Sequence, residues 1–444
     1  MNETRRNFIK KSTIAGTALA ISPFHIFGKG SPNEKIVVAA MGVRSRGMGL
    51  ATNFAQMPNV EIAYVCDVDD RYTENCIAQI EKITYKKPKG IRDIRKALDD
   101  KAVDAVFMAT PDHWHAPGAI LAMSAGKHVY LEKPCSHNPA EGEMLIKAVE
   151  RYGRVFQMGN QRRSWPNMLK LMADIQSDII GNIYFAKGWY ANNRKPIGFG
   201  KEAPVPDYLD FDLWQGPAPR TAYRDNIHPY NWHWFKRWGT GEALNNGTHE
   251  IDVMRWGMGL DYPSRVVATG GRYHYDDDWE FPDTMVATYE FEEGKSFTWE
   301  GRSCNILDIE GDGRGVIFYG EKGSIVVTGD AYTVYDNLPG RNVIKEVGRE
   351  KKKPAADSTN TVSPDATLDG VHIKNFLDGI RENIPVNSPI EESHKSILMC
   401  QLANISWETG SILDIDQRNG RIIGNKTAME LWGREYAPGW EPKV

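Results

Sequence analysis

The side chains best suited to moving protons follow two short apolar runs of the sequence. His113 and His115 follow the first run, and Lys133 follows the second one, between Glu132 and Pro134. Imidazole and amine groups can take up or release a proton near neutral pH once their surroundings shift their pKa. If the two runs are neighbouring strands, these side chains meet at one crevice.

The segment 104–134 is typical of a strand–helix–strand unit. Residues 104–109 form an apolar run that ends at a Thr-Pro pair, where proline has no N–H to continue a strand ladder. Residues 117–124 have an apolar helical side, Gly126 ends that helix, and residues 128–131 form the next strand. Ligands bind outside the carboxyl ends of the strands in such a unit.

A glycine-rich turn before a helix forms a second chemical centre. The turn covers residues 239–247, and residues 248–257 have a helical pattern, so His249 lies in the first helical turn. A helix N-terminus disfavours the charged imidazole, so this histidine can be a neutral base near pH 7. Asn245 cannot accept a proton, but its amide can orient a hydroxyl. We predict catalytic roles for Lys133 and His249 and a substrate contact for Asn245.

A dinucleotide fingerprint follows the first buried strand, residues 34–41, and precedes a helix predicted over 47–57. Its first and third glycines are Gly42 and Gly47, but Arg44 replaces the second one. Either the backbone detours around the pyrophosphate, or the two arginines of the turn help to neutralise it; the alternative is that both are solvated. The predicted contacts with the cofactor in this turn are Gly42, Arg44, Ser45, Arg46 and Gly47.

Asp67 ends the second predicted strand, 60–66, and stands 25 residues after Gly42. An acidic side chain there can accept hydrogen bonds from both ribose hydroxyls and would repel a 2′-phosphate. The sequence therefore favours NAD over NADP, although Arg71 could shield a phosphate and keeps NADP open.

Three motifs occur in order in the first half of the chain: Thr-Pro-x-x-x-His at 110–115, Ala-Gly-Lys-His-Val at 125–129 and Glu-Lys-Pro at 132–134. Together with Gly-x-His-x-x-Asp at 247–252, they resemble the Gfo/Idh/MocA family of nicotinamide-dependent, mostly sugar- and polyol-acting oxidoreductases. The resemblance covers about residues 35–415. One departure is Asn245, which stands where the family has an aspartate.

The resemblance implies that Lys133 lies beside the nicotinamide and that the Lys133–Pro134 peptide bond is cis. Glu132 is expected to orient this loop, and His115 to pack against it. The residues predicted around the nicotinamide are Thr110, Pro111, His115, Glu132 and Lys133.

Two further segments are predicted to reach the substrate. Asn160 and Arg163 follow the last strand of the first domain, where a hinge or salt-bridge role is the alternative. Residues 228–238 interleave aromatic and polar side chains, which suits a sugar site, although such a loop can also be held in place by its own rings. From this loop we predict substrate contacts for Tyr230 and Trp232.

The predicted fold class is α/β, with two domains. Residues 34–158 form a Rossmann doubly wound parallel sheet, and residues 159–444 form an α+β substrate and oligomerisation domain with a large open, mostly antiparallel sheet. The strands predicted for that sheet are 265–270, 284–291, 296–301, 315–319, 324–328 and 332–335. Helices 365–381 and 391–409 close the chain, with His372 and His394 expected at their surfaces. The resemblance implies a homodimer or homotetramer formed through this sheet.

Residues 1–33 read as an export signal rather than as part of the fold. The segment 4–10, TRRNFIK, matches a twin-arginine signal, and residues 12–27 are apolar but too short for a stable membrane span. We expect export to the periplasm without a membrane anchor; a basic disordered tail is the alternative.

Composition excludes some partners. A formal net charge of −4 argues against nucleic acid, which requires a basic surface. The five cysteines show no metal-like spacing, and the His113–His115 pair lacks further ligands, so no metal is predicted.

Three functions are consistent with these residues. The first is an oxidoreductase that transfers a hydride between a secondary alcohol of a sugar, cyclitol or glycoside and a tightly bound NAD. The second, which some relatives in the superfamily exemplify, is an NAD-dependent glycoside hydrolase that works by transient C3 oxidation, elimination and water addition. The third is a non-catalytic NAD-binding sensor.

Overall fold

The computed structural model of the chain describes residues 35–292, 294–348 and 366–444. The predicted export signal lies outside the described residues. Within these residues, every helix is too short or too polar to cross a membrane.

The first sheet has six parallel strands in the order β3-β2-β1-β4-β5-β6. Its central strands are almost wholly apolar because helices cover both faces of the sheet. The strands are β1 (Ile36–Met41), β2 (Val60–Cys66), β3 (Lys89–Ile91), β4 (Ala105–Met108), β5 (His128–Leu131) and β6 (Phe156–Met158). The helices between them are α1 (Ser45–Gln56), α2 (Asp70–Thr84), α3 (Arg95–Leu98), α4 (Asp112–Ser124) and α5 (Pro139–Tyr152).

The strand order places the topological switch point between β1 and β4. The chain moves outward to β2 and β3 on one side and to β5 and β6 on the other. The carboxyl ends of neighbouring strands at a switch point splay apart and leave a crevice for a ligand. A ligand that crosses this edge runs from the end of β2 towards the end of β6.

The second sheet has ten strands in the order β14-β13-β12-β11-β7-β10-β9-β8-β15-β16. Among the described strands, β7 pairs with β10 in parallel and the other pairs are antiparallel. The strands are β7 (Ile183–Ala191), β8 (Arg265–Gly271), β9 (Thr284–Phe291), β10 (Lys295–Arg302), β11 (Arg314–Gly320), β12 (Gly323–Thr328), β13 (Ala331–Asp336), β14 (Val343–Val347), β15 (Leu413–Asp416) and β16 (Arg421–Ile423). The predicted fold class is therefore confirmed.

Helices of the second half of the chain cover one face of the second sheet, and one of them packs against the first domain. They are α6 (Pro166–Gln176), α7 (Phe211–Gln215), α8 (Gly241–Asn245), α9 (Gly247–Met258), α10 (Ala366–Glu382), α11 (Ile390–Thr409) and α12 (Lys426–Glu430), with 3-10 turns at Gln161–Ser164 and Asn231–Trp234. Phe376 of α10 meets the ring of Phe54 on α1 edge to face, with centroids 6.4 Å apart. A late helix thus completes the core of the first sheet.

Helix α4 begins at Asp112, five residues before the predicted start at Pro117. A proline inside a helix leaves the carbonyl four residues earlier without its N–H donor. That carbonyl belongs to His113, and Arg434 Nη2 donates to it at 2.6 Å. A distant side chain therefore allows the helix to begin upstream of its proline.

The predicted surface positions of His372 and His394 are wrong, because both side chains are buried. His372 Nδ1 pairs with Ser164 Oγ at 2.6 Å, and its Nε2 pairs with the carbonyl oxygen of Met158 at 2.9 Å. Both histidines thus belong to the packing of α10 and α11 against the rest of the molecule.

Candidate functional site

One cleft runs along the carboxyl ends of the first sheet and is closed on its other side by residues of the second half of the chain. It is lined by the turn after β1, the ends of β2, β4 and β5, the turn after β6, the loop 228–233 and the start of α9. Most predicted site residues border this cleft: Gly42, Arg44, Ser45, Arg46, Asp67, Thr110, Pro111, His115, Glu132, Lys133, Tyr230, Trp232, Asn245 and His249.

The turn after β1 has the form of a phosphate cradle. Gly42 has φ +75°, and a side chain there would lie 2.7 Å from the carbonyl oxygen of Ala109. A side chain on Gly47 would lie 1.8 Å from the carbonyl oxygen of Gly42, so this glycine serves the packing of α1 rather than the cleft. No described side chain caps α1, and while the Gly47 amide donates to the carbonyl oxygen of Arg44 at 2.8 Å, the amides of Ser45 and Arg46 have no acceptor within the helix. These amides suit a pyrophosphate.

The two arginines of this turn have different surroundings. Arg46 donates to Glu132 Oε1 at 2.7 Å and to Asp369 Oδ2 at 2.6 Å, so its guanidinium ties the turn to the loop after β5 and to α10. The structure therefore does not support its predicted side-chain contact with phosphate. Arg44 is partly exposed and lies 5.8 Å from the ring centres of Tyr72 and Tyr230, where it can still reach a phosphate.

Asp67 is positioned for a ribose. Its carboxylate accepts hydrogen bonds from the amides of Val43 at 2.8 Å and Asp69 at 3.0 Å, which fix it at the end of β2. Burial raises the pKa of Asp67 to about 6. Arg71 is the residue that left NADP as the alternative cofactor. It pairs with Asp69 at 2.7 Å and lies over the ring of Tyr208. With that guanidinium engaged, the surroundings of Asp67 fit NAD.

Lys133 bridges the two halves of the site. Its Nζ donates to the backbone oxygen of Asn245 and to Asn245 Oδ1, the latter at 3.1 Å. An amine has one further position after these two bonds, which is a hydrogen in the ammonium form and a lone pair in the neutral form. Burial lowers the pKa of Lys133; the carboxylates of Glu132 and Asp112 oppose this shift, and the charge of Arg314 adds to it.

The loop that carries Lys133 is held from two sides. Glu132 accepts from Arg46, from Gln161 Nε2 at 3.0 Å and from the backbone amide of Lys133 at 3.2 Å, so it orients the loop and does not bind Nζ. His115 is buried, with Nδ1 2.6 Å from the oxygen of Pro134 and Nε2 2.8 Å from that of Thr110. The predicted packing of His115 and the predicted cis Lys133–Pro134 bond are confirmed.

His249 lies at the start of α9 and borders the same cleft as Lys133. Its Nδ1 has no hydrogen-bond partner among the described residues. Burial holds the pKa of His249 well below its usual value, and the charges of Arg314 and Lys133 lower it further. Burial, rather than the helix end that the sequence indicates, is thus the main cause that favours the neutral form of this imidazole.

The structure separates the predicted substrate residues into two groups. Tyr230, Trp232 and Asn245 border the cleft, whereas Asn160 and Arg163 do not. Asn160 is fully buried. Arg163 forms a buried ion pair at 2.7 Å with Asp252 of α9, which is the salt-bridge alternative for this residue.

Three buried arginines at the cleft were missed by sequence reasoning. Arg194 pairs with Glu242 at 2.7 Å, Arg314 pairs with Glu250 at 2.8 Å, and Arg162 borders the cleft at the turn after β6. Glu242 and Glu250 lie in the same segment as His249, so the sequence does indicate that this segment needs positively charged partners. Their partners come from distant strand ends, which one sequence does not bring together.

The described ranges hold no group of three or more His, Cys, Asp or Glu side chains placed to bind a metal ion. The ring nitrogens of His113 face the carbonyl oxygens of Trp214 at 3.0 Å and Trp238 at 3.4 Å.

Known proteins share both the sequence pattern and the fold. The chain is 26% identical over 253 residues to a glycosyl hydrolase family 109 protein of Saccharopolyspora erythraea, covering 50% of this chain and 55% of that one. It is 23% identical over 379 residues to the uncharacterized oxidoreductase YrbE of Bacillus subtilis, covering 81% and 98% of the two chains. The match thus spans about half the length of the first relative. The structure of levoglucosan dehydrogenase with NADH and levoglucosan superposes with a TM-score of 0.66 at 19% identity, covering 86% of this chain and 99% of that one.

Two models of one family match consecutive parts of the chain. Residues 36–160 match the NAD-binding Rossmann fold of the GFO_IDH_MocA oxidoreductase family, and residues 210–415 match the C-terminal alpha/beta domain of the same family. The first match agrees with the glycine turn and with Asp67, and the second covers the turn that carries His249. The chain therefore belongs to the Gfo/Idh/MocA oxidoreductase family and carries its NAD-binding domain.

Proposed function

We propose that this chain is an NAD-dependent oxidoreductase that acts on a secondary alcohol of a sugar, cyclitol or glycoside. The observation that carries the proposal is that the Lys133 amine and the His249 imidazole border the same cleft as the glycine turn and Asp67. When bound, NAD supplies or accepts the hydride. The residues that would hold it are those of the turn after β1, Asp67 and the loops after β4 and β5.

Lys133 is the group that takes the hydroxyl proton during oxidation. Asn245 occupies two of its three nitrogen positions, which leaves one position for a group bound in the cleft that Lys133 borders. Because burial lowers the pKa of Lys133, more of the amine is neutral at a given pH than in water. A neutral amine presents a lone pair, as a general base requires.

His249 and the aromatic loop orient the substrate. The neutral imidazole can hydrogen-bond a hydroxyl without adding a charge to the cleft. Trp232 lies almost flat on His233, with ring centroids 3.6 Å apart, and both residues border the cleft. Aromatic faces of this kind pack against the C–H faces of a sugar.

The first experiment determines whether the dinucleotide is retained and reduced. We expect the dialysed protein to carry about one NAD per chain by mass spectrometry and to develop absorbance at 340 nm with one member of a sugar and cyclitol panel. A protein that carries no dinucleotide after dialysis and also gives no binding heat with millimolar NAD in calorimetry would contradict the proposal. Sugar binding without any turnover would favour the sensor.

A second candidate function is redox glycoside hydrolysis, favoured by the match to the family 109 glycosyl hydrolase. Removal of a hydride from C3 would acidify C2–H, and the aglycone would leave in an elimination. Addition of water and return of the hydride would complete the cycle, with no net oxidation. Aglycone release from aryl glycosides without added NAD, with solvent deuterium entering C2, supports this candidate; stoichiometric NADH without aglycone supports the first.

We also infer export and self-association. The segment 4–10 supports export by the twin-arginine route to the periplasm without a membrane anchor, and a double Arg5→Lys, Arg6→Lys variant should leave the protein in the cytoplasm. A homodimer or homotetramer through the second sheet is supported by Phe185 and Tyr319, stacked at 5.5 Å on the sheet face away from α9. Light scattering of the purified protein tests this assembly, and a monomeric mass would contradict it.

A further inference from the structure

Arg162 is a buried cation whose guanidinium makes no hydrogen bond in the part of the chain that the structure describes. It follows β6 in the 3-10 turn Gln161–Ser164, and only 3% of its side chain is exposed. Among the described residues, its Nη1 has no hydrogen-bond acceptor, and the carboxylate oxygen of Glu250 stays 3.8 Å away. The guanidinium carbon lies over the ring of Trp165, 5.7 Å from the ring centre. A buried guanidinium normally keeps its donors paired.

Glu250 lies between two guanidinium groups, those of Arg162 and Arg314. Glu250 Oε1 already accepts two hydrogen bonds from Arg314, at 2.9 and 2.8 Å, so one carboxylate serves two guanidinium groups. Burial, together with the charge of Arg314, lowers the pKa of Arg162 to about 10. Glu250, Asp312 and Asp252 oppose this shift through their charge alone, and within the described residues none of them accepts a hydrogen bond from the Arg162 guanidinium.

The position of Arg162 separates it from the phosphates of the dinucleotide. The cradle lies at the end of β1 and Asp67 at the end of β2, whereas Arg162 follows β6, two strands beyond β4 and on the other side of the switch point. Lys133, at the end of β5, stands between them in the strand order. A negative group that meets Arg162 therefore belongs to the substrate rather than to the cofactor.

We propose that Arg162 binds a carboxylate of the substrate, so that the chain acts on a sugar acid, such as a uronic acid or its glycoside, rather than on a neutral sugar. This inference rests on the proposed oxidoreductase function. The guanidinium presents parallel N–H groups that match the two oxygens of a carboxylate. The neighbouring Arg314 is already paired with Glu250, so it is not expected to bind the substrate carboxylate itself.

Matched sugars that differ only at C6 test the proposal. Methyl glucoside is compared with methyl glucuronoside, and methyl galactoside with methyl galacturonoside, in both anomers. Calorimetry measures binding to the NAD-loaded protein, and absorbance at 340 nm measures turnover. We expect at least one uronoside to bind about ten-fold or more tightly than its neutral partner. Equal or tighter binding of every neutral partner would overturn the proposal.

Arg162→Gln should remove the preference. Its affinity for the uronoside should fall to that of the neutral sugar, while the affinity for the neutral sugar changes less than about three-fold, and Arg162→Lys should be intermediate. Arg418→Gln, which removes an exposed charge elsewhere, should keep the preference. Unchanged uronoside affinity in Arg162→Gln would contradict the proposal. If that variant does not fold, the comparison of matched sugars on the wild-type protein decides alone.

Thermal melting distinguishes this role from a structural one. Arg162 loses no hydrogen bond when replaced, so Arg162→Gln should melt at or above the wild-type temperature without substrate, and the uronoside should stabilise the wild type alone. A markedly lower Tm together with a retained uronoside preference would make Arg162 structural. Uronoside binding without turnover leaves this inference standing and overturns the proposed function; turnover of neutral sugars alone does the reverse.

Discussion

The two ends of the cleft differ in how their arginines are neutralised. At the end formed by the turn after β1 and the ends of β2 and β3, Arg46, Arg71 and Arg92 each pair with a carboxylate, and Arg44 stays partly exposed. At the β6 end, the cations Arg163, Arg194 and Arg314 are paired as well. Arg162 is the exception, because it is buried and donates no hydrogen bond to any described residue. The first end therefore offers NAD backbone amides, the carboxylate of Asp67 and the partly exposed Arg44, whereas the second end carries the buried cation that we propose selects the substrate. Lys133 lies between them.

The largest effect is expected from Lys133→Ala, which removes the base between the two ends. Turnover should fall by about 10³-fold, in the range of general-base catalysis, while the bound NAD is retained. Lys127→Ala is the matched control, because Lys127 is also a buried lysine but donates to the carbonyl oxygens of Asp100 and Val103. Near-normal single-turnover rates in Lys133→Ala would remove this residue from the mechanism.

The same lysine sets the expected pH profile. Oxidation needs the neutral amine, so the rate should rise with pH through an apparent pKa below the ordinary 10.5 of lysine. His249 should add no limb near pH 6.5, because its pKa lies well below that value. The pH dependence of kcat measures both, and a limb near 6.5 that vanishes in His249→Asn would contradict the neutral state of the imidazole.

His249→Asn should cost less than the loss of the base. The amide can still hydrogen-bond a hydroxyl but is shorter, so we expect kcat to fall about ten- to hundred-fold, with a small change in NAD affinity. Steady-state kinetics with NAD titrated separately from the sugar measure the two effects. A loss confined to NAD binding would place His249 with the cofactor instead.

At the cofactor end, Asp67→Asn should weaken NAD binding about ten-fold, because a ribose hydroxyl loses a charged acceptor. In the free protein the carboxyl of Asp67 has a pKa of about 6, so it becomes protonated below that pH. The Kd for NAD should therefore rise as pH falls below 6 in the wild type, and stay flatter in the variant. Calorimetry at pH 5 and pH 8 measures the difference; equal slopes would contradict this role.

The smallest effect on chemistry is expected from Arg46→Gln, which acts on stability. It leaves the buried carboxylates of Glu132 and Asp369 without their partner and should lower the free energy of unfolding by about 2 kcal/mol. Chemical denaturation measures it, with Arg418→Gln as an exposed ion-pair control that should leave stability unchanged. If the variant lost NAD binding but kept its stability, Arg46 would instead contact the phosphates of NAD.

The dinucleotide end was largely predictable because its contacts are local. The glycine turn, Asp67 and the Lys133 loop each follow a strand directly, and the strand pattern is enough to bring them together. Strands β3, β14, β15 and β16 were missed since they are short or lie at sheet edges, where side-chain periodicity is weak.

The substrate end depends on contacts between distant residues, which the sequence does not reveal. Sequence reasoning selected Arg163, but successive residues of a 3-10 turn point in directions about 120° apart, so Arg162 faces the cleft and Arg163 faces Asp252. The burial of His372 likewise depends on Ser164 and Met158, more than 200 residues earlier.

A crystal structure of the chain with NAD most directly tests the central claim that one cleft joins a dinucleotide to the base at position 133. The account predicts the adenosine ribose at Asp67 and the nicotinamide between the Thr110 loop and Lys133, with His249 facing the open side of the ring. A dinucleotide bound in the reverse direction, or none in the cleft at saturating NAD, would contradict it.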